Sequence, residues 1–166
     1  MSMIGEYLRV TPGDLDRAVR DPGWALDFAD EVQDAEDEPG PSPAAARHFS
    51  TYKTWALLGF LPARAGFPVN VVHGGEPLAG DQDWGYGPPR CLRAERVRLA
   101  ARTLRATGYD RLVSGVDPAD LTKAEVYPLI WDEPGALEWG RPWYEDLTRF
   151  FEAAAEAGDA MLVWLD

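Results

Sequence analysis

Cysteine, histidine, lysine and asparagine are all scarce in this chain. Cys91 stands alone, so an internal disulfide and a multi-cysteine zinc site are both excluded. His48 and His73 are the only histidines, and neither has a ligand-spaced His or Cys neighbour. A zinc centre needs three or four ligands, so no metal site is expected and no cofactor is assigned. Lysine occurs only at 53 and 123, and asparagine only at 70. The four serines, at 2, 42, 50 and 114, lie in no Gly-x-Ser-x-Gly context, which removes the hydrolase elbow. Gly85-Tyr86-Gly87 is too short for a phosphate-binding glycine motif, and no Gly-Lys-Ser/Thr follows. There is no apolar run of about 18 residues for a membrane span. The start, Met1 to Glu6, lacks the basic and apolar regions of a secretory leader, so a cytoplasmic location is expected.

Acid is in excess. With 16 basic against 28 acidic residues, the net charge is −12. Nucleic-acid binders draw their affinity from neutralised phosphates, and anionic membranes attract basic patches, so neither partner is expected. The arginines of Ala94–Thr107 are the one dense basic run, and they read as spread around a helix. Seven acids fall between Asp27 and Glu38. Their spacing matches no calcium loop, and a solvated acidic face is the simpler reading. Nothing in the sequence fixes an oligomeric state.

At 166 residues the chain suits a single domain over residues 1–166. Met3–Val10 reads as a strand, with Glu6 breaking the face made by Ile4, Leu8 and Val10. Thr11 caps a helix over Asp14–Arg20, with Pro12 at its first position. A second helix covers Trp24–Asp34, with Trp24, Phe28 and Val32 on one stripe. Residues 34–43 form an acidic, proline-rich loop. Ala44–Leu61 reads as a third helix that turns Tyr52, Trp55, Ala56 and Leu58 inward and ends at Pro62. Phe67–His73 is strand or helix, and His73 to Pro89 is irregular. Ala94–Thr107 is an amphipathic helix closed by Gly108, although Arg93 is a poor cap. Asp117 caps a short helix to Glu125. Arg141–Ala157 is the last helix and Ala160–Asp166 the last strand, apolar on both faces as a central strand would be. Strands at both ends with helices between them give an α+β fold. Its small sheet holds both terminal strands under about five helices.

Several stretches resemble the DUF1877 family of YfbM-like bacterial proteins. They are Met1–Leu8, Lys53-Thr54-Trp55, Gly74–Leu78, Tyr86–Arg90, Ala124–Trp131 and Phe151–Leu165, in the family's order. The resemblance implies an α+β domain with no assigned activity. It also implies two departures. Family members carry Asp before the Lys-x-Trp segment, where this chain has Ser50 and Tyr52. They often carry a His one turn after the Trp, where it has Gly59. If those residues form a catalytic set, it is missing here.

No motif specifies a reaction, so the weight falls on a non-catalytic interaction or binding protein. In that reading the acidic face meets a basic protein partner, one form being an immunity-type inhibitor of a basic toxin. The rival is a small-molecule or cryptic enzyme site at the glycine-rich segment 74–90. Lys53, Trp84, Tyr86, Arg90, Tyr127 and Trp131, together with Trp55, supply two cationic heads, aromatic walls and two phenols. Such a set suits a small anionic or planar ligand. Alternatively the aromatics are core, and Lys53 and Arg90 hydrogen-bond loop carbonyls or pair with Glu76, Asp81 or Asp83. Cys91 is expected to be a packed thiol.

Overall fold

A computed structural model of the chain describes residues 2–37, 40–78 and 83–166. Strand β1 is Gly5–Val10, and β5 is Ala160–Leu165. They pair antiparallel along their whole length, from Gly5 opposite Leu165 to Val10 opposite Ala160. Strand β2 (His48–Tyr52) flanks β1, while β4 (Arg90–Leu92) and β3 (Glu76–Pro77) continue beyond β5. The order is β2-β1-β5-β4-β3, and every pairing is antiparallel. Seven helices surround this sheet among the described residues. The architecture is α+β, with both terminal strands at its centre.

Alternation along the strands feeds two cores. Tyr7, Met161, Val163 and Leu92 face one side, under α3 (Trp55–Arg64), α4 (Ala94–Ala106), α5 (Tyr109–Val113) and α7 (Ala136–Ala157). Leu8, Val10, Cys91, Leu162 and Trp164 face the other, under α1 (Pro12–Arg20) and α2 (Pro22–Ala35). Period-two alternation explains why β5 is apolar at every position: each face has its own helical layer. Tyr7 shows how the larger core admits a polar group. Its hydroxyl donates to the Val71 carbonyl at 2.6 Å, and burial drives its pKa well above the usual phenol range.

Side-chain caps close three helices, two of them at the expected Thr11 and Asp117. The Thr11 hydroxyl accepts from Asp14 N at 3.1 Å, with Pro12 at the start of α1. Asp21 accepts from Trp24 N at α2, and Asp117 from Ala119 N at α6 (Pro118–Lys123). Arg93, by contrast, gives α4 no side-chain cap. It pairs instead with Glu76, its Nη2 lying 3.0 Å from Oε2.

Four segments differ from the sequence reading. Residues 44–61 are not one helix: β2 occupies His48–Tyr52, and α3 begins only at Trp55. The edge of β1 offered unpaired backbone groups, and pairing them outweighed the helical spacing of Tyr52, Trp55 and Ala56. Tyr52 is therefore not inward. It is 43% exposed, with φ at 52°. Pro62 does not end α3, which continues to Arg64 with Pro62 buried inside it. Gly108 does not close α4. The helix stops at Ala106, and Gly108 becomes the N-cap of α5, a five-residue helix too short to show a period. The last helix starts at Ala136, one and a half turns before Arg141. Phe67–His73 is neither strand nor helix.

Candidate functional site

Two features of the sheet position the site. Strand β4 ends the irregular segment and presents Arg90, which stands opposite Val163 of β5. The loop before β4 folds back over the end of β5, where Tyr86 N donates to the Leu165 carbonyl at 2.9 Å. Between them, Val72 and His73 arrive from the turn after α3. The Asn70 side chain holds that turn by accepting from Val72 N at 3.0 Å and from His73 N at 2.8 Å.

The result is a pocket of about 200 Å³ lined by Val72, His73, Tyr86, Pro88, Arg90, Val163, Trp164 and Leu165. Its walls are aliphatic and aromatic, and its polar heads are a guanidinium, a phenol and an imidazole. Arg90 is half-buried, and its guanidinium makes no hydrogen bond or ion pair with any described residue. Glu76, one of its expected partners, is taken by Arg93, and Asp81 lies outside the described residues. Partial desolvation lowers the pKa of His73, and the nearby Arg90 charge lowers it further. Protonation of His73 is therefore disfavoured beside the Arg90 cation.

The sequence candidates separate into three places. Tyr86 and Arg90 share this pocket. Tyr127 adjoins it through Trp55, which stacks on Tyr127 (centroids 5.7 Å) and meets His73 edge-on (5.8 Å). The Trp55 N–H donates to the Met3 carbonyl at 3.0 Å, and Met3 N donates to the Tyr127 hydroxyl at 3.1 Å. Lys53 and Trp131 lie farther along the aromatic ladder. Trp131 is buried and stacks on Trp139, which meets Tyr52 edge-on. Lys53 Nζ lies 5.4 Å from the Tyr52 ring centroid. Trp84 is buried in the core on the opposite face of the sheet, edge-on to Trp164. Its indole N–H has no acceptor among the described residues.

Trp55 is the keystone of that ladder. It is partly buried against the larger core rather than enclosed by it. Trp55→Ala should cost about 3 kcal/mol, at the low end of the range for large-to-small changes. Chemical denaturation measures this. A loss below about 1 kcal/mol would place the ring outside the core's energetics.

Sequence reasoning passed over two groups. His73 was dismissed as isolated, although the adjacent Gly74-Gly75 marked a tight approach. Glu6, only 7% exposed, meets His48 Nε2 at 2.5 Å, and the Gln33 amide lies 3.3 Å from the same nitrogen. The signal was there, because an acid interrupting an apolar strand face needs a buried partner. Glu36 leaves the acidic cluster in a similar way, accepting from Arg47 N and His48 N. Cys91 is a buried free thiol as expected, pushed up in pKa chiefly by burial and then by Glu76. No group of three His, Cys, Asp or Glu among the described residues is placed to hold a metal ion. No helix among the described residues is long and apolar enough to cross a membrane.

The family model described as "Domain of unknown function (DUF1877)" matches residues 1–164. The chain belongs to the DUF1877 family. Among solved structures it is similar to a protein of unknown function, YfbM from Escherichia coli. The two share 13% identity at a TM-score of 0.61, over 96% of this chain and 98% of that one. That likeness carries the DUF1877 fold. No curated protein matches. Within this DUF1877 domain Gly59 packs against Val72, and a Cβ there would stand 3.4 Å from the Val72 Cβ. The position where the family resemblance implies a histidine thus lies beside the pocket-lining turn.

Proposed function

We propose that this protein is a non-catalytic binding protein whose ligand is a small carboxylate, held at Arg90 with Tyr86 and His73 around it. One observation carries the reading. A half-buried guanidinium lies in a partly apolar pocket without a carboxylate, in a chain that has 28 of them. A planar carboxylate would pair with the guanidinium fork through two hydrogen bonds, and its apolar part would rest on Tyr86 and Val163. The volume of about 200 Å³ is below that of drug-sized sites and suits a ligand of few atoms. Binding is favoured over chemistry because the lining contains no Ser, Thr, Cys, Asp or Glu to act beside His73.

Benzoate is a suitable probe, titrated by calorimetry. Arg90→Ala should abolish its binding while changing thermal stability little, since the guanidinium anchors nothing described. A variant that loses more than about 2 kcal/mol of stability would show Arg90 to be a structural anchor instead. The pH dependence has a definite sign. His73 is lowered in the folded state, so below its ordinary value near 6.5 the unfolded chain binds more protons. Stability contributed by neutral His73 is full above that value and is lost as pH falls toward the lowered one. An anion at Arg90 offsets the guanidinium charge, so benzoate binding should take up protons in the same interval.

A second reading has its own observation. Asp27, Asp30, Glu31 and Asp34 lie exposed on α2 without ion-pair partners among the described residues. That face suits a basic protein partner. Neutralising the four carboxylates to amides should release a partner whose capture weakens with salt. Unchanged capture would remove this reading.

A further inference from the structure

Helices α4 and α7 pack antiparallel on the sheet, because β4 runs into α4 just where α7 runs into β5, Leu92 standing opposite Met161. Between their outer faces runs a groove of about 470 Å³. Arg98, Arg102 and Arg105 form one wall, Glu152 and Glu156 the other, and Ala101 and Ala155 the floor. The arginines of α4 are thus not merely spread around the helix: the i, i+4, i+7 spacing of these three gathers them on one side. None of the five charged side chains makes an ion pair with any described residue. Counted from the Leu92–Met161 pair, Arg98 stands within one residue of the level of Glu156, and Arg102 within one residue of the level of Glu152. These two arginines and the two glutamates lie on opposite sides of the alanine floor, and no ion pair joins them.

We infer that this groove is an interface for a second copy of the chain, joined by a two-fold axis running along it. Such an interface must complement itself, since the same surface serves both partners. Charge selects the axis. A two-fold axis along the groove lays the arginine wall of each copy over the glutamate wall of the other, giving Arg98–Glu156 and Arg102–Glu152 pairs twice. An axis across the groove would stack arginine on arginine. The alanine floor lets the four helices approach closely, with α4 of one copy antiparallel to α7 of the other. Size sets the strength. A helix of 13 residues is about 20 Å long, so the two-helix face covers about 400 Å² per copy. That is half a standard interface, the size of a weak, transient association.

Sedimentation equilibrium on the full chain from about 10 µM to about 1 mM tests the inference. The wild-type mass should rise from 18.4 kDa toward twice that value with concentration. Arg102→Glu and Glu152→Arg should each hold the mass at the monomer value. An equimolar mixture of the two should dimerise again, because both cross-pairs then join opposite charges. The exposed pair Arg98→Glu and Glu156→Arg repeats the test independently, and thermal melts confirm that each variant is folded. A wild type that stays monomeric throughout overturns the inference. So do single variants that associate like wild type, or a mixture that stays monomeric.

Discussion

Removal of residues 161–166 will leave no folded protein. β5 is the central strand, bonded to β1 on one side and to β4 on the other. Its loss strands the backbone groups of both neighbours, and a buried unpaired N–H or carbonyl is costly. It also empties both cores at once. Met161 and Val163 leave the larger one, and Leu162 and Trp164 the smaller. At about 1.5–3 kcal/mol for each large side chain, the four together account for about 6–12 kcal/mol. A domain of this size has about 5–15 kcal/mol in all. Far-ultraviolet circular dichroism of the truncated chain should show no cooperative melt. A truncated protein that melts like the full chain would show that the terminal strand is dispensable.

Gly75→Ala should cost about 3 kcal/mol and open the pocket region. Gly75 has φ of 83°, and a Cβ there would fall 1.8 Å from the Cys91 carbonyl oxygen. That oxygen belongs to the pairing of Glu76 with Cys91, so relief requires β3 to leave β4. Arg90 is the next residue along β4 and would move with it. Gly66 supplies the control, having the same φ of 83° with no atom within 4 Å of its Cβ position. Gly66→Ala should lose only about 1 kcal/mol, the backbone strain alone. Equal losses in denaturant titrations of the two variants would show that the close approach at Gly75 does not matter.

The terminal strands, the caps of α1 and α6 and the apolar stripe of α4 were legible because each has a local cause. Alternation marked the strands, side-chain acceptors marked two caps, and a 3.6-residue period marked the helix. Residues 48–52 were misread because their state is decided by a neighbour. Phe49 and Thr51 turn inward while His48 and Ser50 take the other face, but only the free edge of β1 selects that conformation. The start of α7 was misread for a different reason. Gly140 and Pro142 look like helix breakers, yet both lie inside the helix. Gly140 is required there, since a Cβ would fall 2.5 Å from the Tyr109 hydroxyl and 2.6 Å from Leu57.

The geometry of the candidate pocket was half legible. Tyr86 and Arg90 lie four residues apart in one loop and strand, so their meeting follows from the chain. Trp84 is two residues before Tyr86 but belongs to the core beneath α1 and α2. Trp131 fills the other core. Sequence marks an aromatic residue as buried without saying on which side of the sheet. His73 and Arg90 are seventeen residues apart and meet only where the turn after α3 reaches β4, which no local pattern marks.

The small number of histidines makes the central claim open to direct measurement. Proton NMR can follow His48 and His73 separately, with His73→Gln giving the assignment. The account predicts that His73 titrates below its ordinary value near 6.5, and that benzoate raises its pKa in the wild type. Arg90→Ala should remove part of the lowering and all of the response to benzoate. A His73 that titrates at the ordinary value and ignores benzoate in both proteins would contradict an anion site at Arg90.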